Sequence, residues 1–182
     1  MRTRSAARVM KNKRKGARYK QIKTIVYKGA LTEDEQPVII ALGLPTSARS
    51  SDGDQTNKRR TSKAYTLAIS PITTTIESIE TGNEKNIAQI ESGQLLETAY
   101  SWYDSTYEYH VGGRQVPRKP FNTNYSLTCA SGIHFFFKAK DAVQYLTSDI
   151  MNSVSGADVV LGVSEFGIVA KRELALMVAG DI

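Results

Sequence analysis

The sequence predicts an α+β fold that is mainly β: a single antiparallel-sheet-rich domain, residues 24–182, with one or two helices, behind a basic N-terminal arm, residues 1–23. Two observations predict this class. Short runs of β-branched and aromatic residues recur along the chain between turn signals, and only two stretches have helical composition or periodicity. A third observation, the uneven distribution of charge, separates the arm from the domain.

The arm is defined by its charge. Residues 1–23 hold ten Lys or Arg and no acid, which leaves 14 bases against 18 acids in the rest of the chain. The bases are Arg2, Arg4, Arg8, Lys11, Lys13, Arg14, Lys15, Arg18, Lys20 and Lys23. Such a segment binds anionic partners, so nucleic acid, an anionic membrane and acidic faces of other proteins are all candidates. Because Tyr19 is its only aromatic residue, we do not expect sequence-specific nucleic-acid recognition.

Seven strands are predicted in the domain, each four to seven residues long and bounded by Gly, Asn, Asp or Ser turns. They lie at residues 24–27, 37–42, 64–69, 73–79, 86–90, 107–111 and 134–137. The turn around Gly82 and Asn83 predicts that the strands at 73–79 and 86–90 form a hairpin.

Two stretches favour helix. Residues 138–150 place Ala139, Ala142, Val143, Leu146 and Ile150 near one face of a helix. Residues 170–178 are rich in helix formers. The second stretch has an alternative, because residues 159–168 have the β-branched, Gly-punctuated look of a hairpin that could continue into residues 174–178.

Several classes of protein and site are not expected. The single cysteine, Cys129, cannot pair within its own chain, which favours a reducing compartment. Apolar runs are far shorter than the roughly 20 residues of a membrane span, and no apolar run follows the first arginines as in a secretory signal. The usual spacings of zinc, calcium and phosphate-loop sites are missing from the sequence, so we expect neither a metal nor a cofactor.

The segment from Trp102 to Tyr145 holds the most specific pattern. It contains a Tyr-x-Val-Gly strand at residues 109–112, then Cys129, Gly132, His134 and Phe135, and then Tyr145 on the predicted helix. His134 is interpreted as a strand histidine whose ring finds a hydrogen bond, and Cys129 as a small buried hydrophobe. The alternative, a Cys129–His134 nucleophilic pair, requires the thiol and imidazole to lie within hydrogen-bond reach.

This pattern resembles an uncharacterised domain found in proteins of large DNA viruses and bacteriophages, sometimes attached to pentapeptide repeats. The similarity extends more weakly upstream and covers most of residues 24–146. The sequence departs from the pattern at residues 60–64, Arg-Thr-Ser-Lys-Ala, where the family commonly has a Lys-Cys-Arg-Ala type string. The resemblance implies a viral origin and no particular reaction.

A second resemblance implies an enzyme. Residues 26–29, Val-Tyr-Lys-Gly, and residues 132–136 with Ala142 and Tyr145 are similar to two segments of ADP-ribosyltransferase folds, which hold nicotinamide dinucleotide between such strands. In that scheme Glu165 or Glu173 would orient the ribose. The first segment has Tyr27 and Lys28 where a His or Arg is expected.

The function that we expect from these patterns is structural and not enzymatic. The chain is predicted to be a viral minor capsid or cement-type protein that binds neighbouring capsid subunits through its β-rich body and basic arm. Many copies would then be present in the virion, and the host cytoplasm would hold the protein before assembly. The alternatives are a non-specific nucleic-acid or partner-binding module and an ADP-ribosyltransferase-like enzyme.

Overall fold

Ten β-strands and two α-helices make up most of what the computed structural model describes, which is residues 16–53, 57–78, 84–150 and 159–180. The strands are β1 (Ile22–Leu31), β2 (Pro37–Pro45), β3 (Arg59–Thr61), β4 (Ala64–Ser78), β5 (Glu84–Ile90), β6 (Thr98–Ser101), β7 (Asp104–His110), β8 (Arg114–Gln115), β9 (Ile133–Phe135) and β10 (Val159–Leu161). The helices are α1 (Ala139–Ile150) and α2 (Val163–Ala179), and residues 16–19 are also helical. Strand accounts for 42% and helix for 22% of the described residues, which confirms the predicted α+β, mainly β class.

The main sheet is mostly antiparallel. Its strand order is β10-β5-β4-β2-β1-β6-β7, with β8 paired to β4, and β10 lies parallel to β5 at one edge. The short strands β3 and β9 form a separate two-stranded sheet. β1 and β2 pair from Ile22 opposite Pro45 to Leu31 opposite Pro37. This long pair is the centre of the sheet and the scaffold for the site described below.

β2 is buried on both faces, as expected for a continuous apolar run. Ile39 and Ala41 belong to one core cluster, and Val38, Ile40 and Leu42 belong to another. The alternation follows from the two-residue period of a strand. The central sheet therefore divides the core into two layers.

Different elements supply the rest of each layer. Residues of both helices, among them Val143, Leu146 and Phe166, pack in the first cluster. Ile133 and Phe135 of β9 pack in the second. The helices and the β3–β9 sheet thus bury different sets of strand residues.

One strand prediction is wrong in its division. Residues 64–69 and 73–79 were predicted as separate strands, but β4 runs without a break through Pro71. What changes at Pro71 is the partner: β4 pairs with β2 up to that residue and with β5 from Ile72 onward. Proline has no N–H to donate, so it fits the point where pairing passes from one neighbour to the next. The β4–β5 pairing confirms the predicted hairpin, whose turn at residues 79–83 lies outside the described residues.

The remaining predicted strands are confirmed with shifted ends. Residues 24–27 and 37–42 lie inside β1 and β2, residues 86–90 inside β5, and residues 107–111 overlap β7. The strand predicted at residues 134–137 is shorter, because β9 ends at Phe135 and Phe137 is exposed.

Both helical predictions are confirmed, and residues 170–178 lie inside α2. The helix at residues 138–150 is confirmed as α1. The hairpin considered at residues 159–168 is wrong, because β10 ends at Leu161 and the chain is helical from Val163. Gly162 makes this change possible: its φ is 71°, and an added Cβ would lie 2.5 Å from the Ile90 carbonyl oxygen. The buried face of α2 then repeats at helical spacing: Phe166, Ala170, Glu173 and Met177.

Packing begins before residue 24. Tyr19 and Ile22 are buried in the first core cluster, and the Tyr19 hydroxyl donates a hydrogen bond to the Gly112 carbonyl at 2.7 Å. Arg18, Lys20 and Lys23 are exposed, and the other seven bases of the predicted arm lie in residues 1–15, outside the described residues. Among the described helices, none combines the length and apolar character that crossing a membrane requires.

Candidate functional site

A cavity of about 910 Å³ opens where β1, β7, β9, α1 and the loop at residues 116–132 come together. We call it the Lys28 cavity, and its defining residues are Lys28, Lys58, Tyr109, Cys129, His134 and Tyr145. Its volume lies within the range of roughly 300–1,000 Å³ that is usual for small-molecule sites. These side chains come from β1, β7, β9, α1, the residue before β3 and the loop at residues 116–132.

Lys28 reaches the cavity from a buried face of β1. Strand alternation places it with Val26 and Ala30, which are fully buried, and Lys28 itself is only 8% exposed. Burial, reinforced by the nearby Lys58, lowers the pKa of Lys28 to about 8. Among the described residues its ammonium has neither a hydrogen-bond acceptor nor a carboxylate, and the Tyr109 ring centroid lies 6.0 Å from Nζ. A buried cation in this state favours the binding of an anion.

Lys58 begins a hydrogen-bonded chain that leads to the surface. Its Nζ donates to the Tyr145 hydroxyl at 2.8 Å, and the Tyr145 and Tyr103 hydroxyls share a hydrogen bond of 2.8 Å. Tyr103, which is 63% exposed, donates to Asp149 Oδ2 at 2.8 Å. Although most of the side chain is exposed, partial desolvation of the hydroxyl and its hydrogen bonds with Tyr145 and Asp149 raise the pKa of Tyr103 well above its usual range, so the hydroxyl stays protonated. These hydrogen bonds fix the positions of the Tyr103 and Tyr145 rings on the wall of the cavity.

His134 lies beside these cations in the neutral form. Burial lowers its pKa to about 4, and the positive charges of Lys28, Lys58 and Arg60 act in the same direction. Its Nε2 lies 2.9 Å from the Thr128 carbonyl oxygen, to which a neutral ring can donate. The prediction of a strand histidine with a hydrogen-bonded ring is therefore confirmed.

Arg60 organises the loop that closes one side of the cavity. It lies opposite His134 in the β3–β9 pair and is fully buried. Its guanidinium donates to four backbone carbonyls of the loop: Leu127 at 2.6 Å, Asn122 at 2.6 Å, Ser131 at 3.1 Å, and Asn124. The loop has little regular structure of its own, so these bonds hold it in place. The positions of Cys129 and Gly132 therefore depend on Arg60.

Tyrosine rings form much of the cavity wall. Tyr107 and Tyr109 lie two residues apart on β7 and so share a face, with ring centroids 5.1 Å apart in an edge-to-face arrangement. Tyr103 and Tyr145 add two further rings. Burial raises the pKa of Tyr107 and Tyr109, so both hydroxyls are protonated at neutral pH. Such a wall offers flat apolar surface with polar edges, which suits a planar ring.

Positive charge dominates the lining of the cavity. Arg118 and Lys119 add to Lys28 and Lys58, whereas Asp104 is the sole acid among the described lining residues. Arg118 Nη1 lies 3.2 Å from Asp104 Oδ2. A hydrogen bond from the Thr106 hydroxyl and the charge of Arg118 lower the pKa of Asp104 below its usual range. Since Arg118 already neutralises this carboxylate, the cavity keeps an excess of positive charge.

Most of the motif residues predicted from sequence meet at this cavity. Cys129, Gly132, His134 and Tyr145 line it, whereas Phe135 is fully buried in the second core cluster. The prediction that Cys129 is a buried hydrophobe is wrong, because it is exposed on the loop that Arg60 holds. Cys129 and His134, both among the described residues, share no hydrogen bond. The His134 ring is bonded through Nε2 to the Thr128 carbonyl oxygen instead.

The two segments similar to ADP-ribosyltransferases are neighbours in space. Tyr27 and Phe136 exchange two backbone hydrogen bonds of 2.8 Å, which places Lys28 and His134 on the same cavity. The two candidate glutamates lie elsewhere. Glu165 is exposed in the first turn of α2, and Glu173 is paired with Arg172 on the same helix, so neither lines the cavity. Across the described residues, no group of three or more His, Cys, Asp and Glu is placed to hold a metal ion.

Several cavity residues could not be found from local sequence patterns. Lys58 lies far from the Trp102–Tyr145 segment in the chain, and Tyr103 and Arg118 lie inside that segment without a predicted role in a site. Lys28 did carry a signal: the alternation of β1 places a lysine in the row of Val26 and Ala30. A charged residue at a buried strand position is rare enough to indicate a functional site.

Comparison with protein families finds a match that covers most of the chain and most of the cavity residues. A profile described as "Family of unknown function (DUF5758)" matches residues 9–142. The chain belongs to DUF5758. The matched DUF5758 region includes Lys28, Lys58, Cys129 and His134, and it ends before Tyr145 and α2. Neither a curated protein nor a solved structure gives a significant match to this DUF5758 chain.

Proposed function

We propose that this domain binds a nucleotide-class ligand, an anion that carries a planar ring, in the Lys28 cavity. One observation carries the proposal: Lys28, only 8% exposed, directs its ammonium to a cavity of about 910 Å³, and the ammonium meets no acceptor or carboxylate among the described residues. A charge that has lost most of its contact with water and has no acidic partner favours a bound anion.

Electrostatics supports an anion. Lys28, Lys58, Arg118 and Lys119 line the cavity, and its one described acid is paired with Arg118. Walls of low polarity strengthen the attraction, because charges interact more strongly there than in water. A phosphate or diphosphate matches this concentration of cations.

The aromatic wall supports a planar ring. Tyr103, Tyr107, Tyr109 and Tyr145 all contribute to the lining. Ring stacking and burial are favourable for a nucleobase or a nicotinamide, and phenol hydroxyls can bond the polar edges of such rings. Together the two features describe a molecule with an anionic end and a flat end.

Nicotinamide dinucleotide is the first ligand to test. The segments at residues 26–29 and 132–136, which resemble those that hold this dinucleotide in ADP-ribosyltransferases, lie side by side along the cavity. Because Glu165 and Glu173 lie on α2 away from the lining, we propose binding and not ADP-ribosyl transfer.

Isothermal titration calorimetry of the full chain with nicotinamide dinucleotide, AMP and inorganic phosphate tests the proposal. We expect both nucleotides to bind more tightly than phosphate. Lys28→Met and Lys58→Met should each weaken nucleotide binding at least about tenfold, equivalent to about 1.4 kcal/mol. Lys140→Met, at an exposed position of α1, is the matched control and should bind as the wild type does.

Two results would contradict this function. Nucleotide affinities that are equal in the wild type and in Lys28→Met would place binding outside the cavity, and no detectable heat with either nucleotide would remove the proposal. Release of nicotinamide during the titration would instead favour the transferase alternative.

We also propose, from the sequence, that the chain serves as a viral minor capsid or cement-type component. Support comes from the concentration of ten bases in residues 1–23 ahead of a mildly acidic body, and from the resemblance to proteins of large DNA viruses. Binding to capsid neighbours would use the arm and the outer surface of the body. It is therefore compatible with a ligand inside the Lys28 cavity.

A further inference from the structure

Lys28 combines three features that together make an amine reactive. It is buried, it lies near a second cation, Lys58, and it faces a cavity large enough for a small molecule. Desolvation and a neighbouring positive charge both favour the neutral amine over the ammonium. Lysines activated in this way are the ones that form covalent intermediates with carbonyl compounds.

The groups that surround Lys28 are consistent with this chemistry. Lys58 precedes β3, His134 lies on β9, and Tyr109 and Tyr145 come from β7 and α1. None of these four side chains is a carboxylate, which would hold Lys28 in its charged form. Lys58 is in addition a cation that can attract an anionic group of an incoming molecule.

We propose that Lys28 is a nucleophilic amine that forms an imine with an anionic aldehyde or α-keto acid bound in the Lys28 cavity. The ammonium of Lys28 first loses a proton to solvent. The neutral nitrogen attacks the carbonyl carbon, a C–N bond forms, and the carbonyl electron pair moves to oxygen, which takes up a proton. The resulting hydroxyl leaves as water and yields a protonated imine. One ammonium and one carbonyl thus give one iminium and one water.

The lowered pKa of Lys28 sets the size of the expected effect. With a pKa of about 8 instead of 10.5, the fraction of neutral amine at pH 7 is roughly 300-fold larger than for an ordinary lysine. A less basic nucleophile is also intrinsically weaker, as is known for thiols. The net rate advantage over an exposed lysine should therefore be at least about tenfold.

Trapping with glyoxylate and sodium cyanoborohydride tests this chemistry on the full chain. Glyoxylate is a small anionic aldehyde, and the reagent reduces an imine to a stable secondary amine. Peptide mapping by mass spectrometry then compares the rate of carboxymethylation at Lys28 with that at Lys171, which is exposed on α2. We expect the Lys28 rate to rise with pH and to level off above about 8, the pKa of its amine.

Variants separate reactivity from charge. Lys28→Arg keeps the cation but cannot form an imine, so the fast adduct should disappear, whereas Lys171→Arg should leave it unchanged. Equal rates at Lys28 and Lys171 in the wild type would overturn the proposal, and this comparison does not depend on any variant folding. The adduct has to be mapped because the terminal amine also has a pKa of about 8.

This chemistry depends on an accessible cavity and not on nucleotide binding. Fast labelling of Lys28 in a chain that binds no nucleotide would support the imine proposal and contradict the proposed function. Nucleotide binding without selective labelling would do the opposite.

Discussion

His134 links the cavity to the stability of the fold. Its pKa of about 4 in the folded chain lies below the value of about 6.5 for a histidine in an unfolded chain. As the pH falls from 6.5 to 4, the unfolded state therefore takes up the proton first. Linkage then requires that the free energy of unfolding decreases over this range.

We predict that His134 alone removes about 2 kcal/mol of stability between pH 7 and pH 5. Urea unfolding of the wild type and of His134→Asn at the two pH values measures this, and the variant should lose less stability by about that amount. His110→Asn is the matched control, because the His110 side chain is 57% exposed. An equal loss in wild type and His134→Asn would show that His134 is not held neutral by burial.

Single residues of the site differ in how far the sequence could predict them. Cys129, Gly132, His134 and Tyr145 stand close together in one recognisable segment, and all four line the cavity. Phe135 belongs to the same segment, but strand alternation turns it into the core. Tyr103 lies in the same segment but was given no role in a site, and Lys58 was not predicted because it reaches the cavity only through the pairing of β3 with β9.

At the scale of elements, the contact between β1 and α1 positions one wall of the cavity. An added Cβ on Gly29 would lie 2.7 Å from the Cβ of Leu146, which is closer than real side chains approach. Leu146 follows Tyr145 on α1, so the small size of Gly29 allows the helix to place Tyr145 and Lys28 near one another.

Gly29→Ala should therefore push α1 away from β1. We expect a loss of about 1–3 kcal/mol in the free energy of unfolding, as for other overpacked cores, and weaker nucleotide binding because Tyr145 moves. Gly93→Ala is the control, since an added Cβ there meets nothing within 4 Å, and its effect should stay within about 0.5 kcal/mol. Urea denaturation and calorimetry on both variants decide the matter, and equal behaviour would contradict a role for this contact.

Elements were predicted well where their own pattern decides the structure. α1 has one clear apolar face, and the strands inside β1, β2 and β5 have β-branched runs. The hairpin considered as an alternative at residues 159–168 is wrong because β-branched composition suits both a strand and a buried helix. The choice depends on Gly162 and on the packing of Phe166 against the sheet, and neither is visible in the composition. The division of β4 into two predicted strands is wrong for a different reason. At Pro71 the strand changes its neighbour from β2 to β5, but it does not end.

At the scale of the whole molecule, the described cations that differ in burial fall into two groups. Lys28 and Lys58 are buried at the cavity, whereas Arg18, Lys20 and Lys23 are exposed. Residues 1–15 add seven bases and no acid. Buried charges act on a ligand at short range, and exposed ones act on large polyanions in a way that salt screens. The overall net charge of +6 does not distinguish these two roles.

The two roles can be separated by changing the seven bases of residues 1–15 to glutamine in the full chain. These are Arg2, Arg4, Arg8, Lys11, Lys13, Arg14 and Lys15. We expect the wild type to bind random-sequence duplex DNA with an affinity that falls with salt, by a slope of about −0.9 per neutralised phosphate in a double-logarithmic plot. The substituted chain should have a flatter slope, by up to about 6, because each lost base removes at most one phosphate contact.

Nucleotide binding should respond in the opposite way. The described residues that line the Lys28 cavity all lie between residues 28 and 145, and charges that do not contact the ligand act on it weakly at physiological salt. Affinity for nicotinamide dinucleotide should therefore stay within about twofold of wild type in the glutamine-substituted chain, whereas Lys28→Met should weaken it at least about tenfold and leave the DNA slope unchanged. If both substitutions changed both properties alike, a single positive surface would serve both ligands, and the separation between arm and cavity would be wrong.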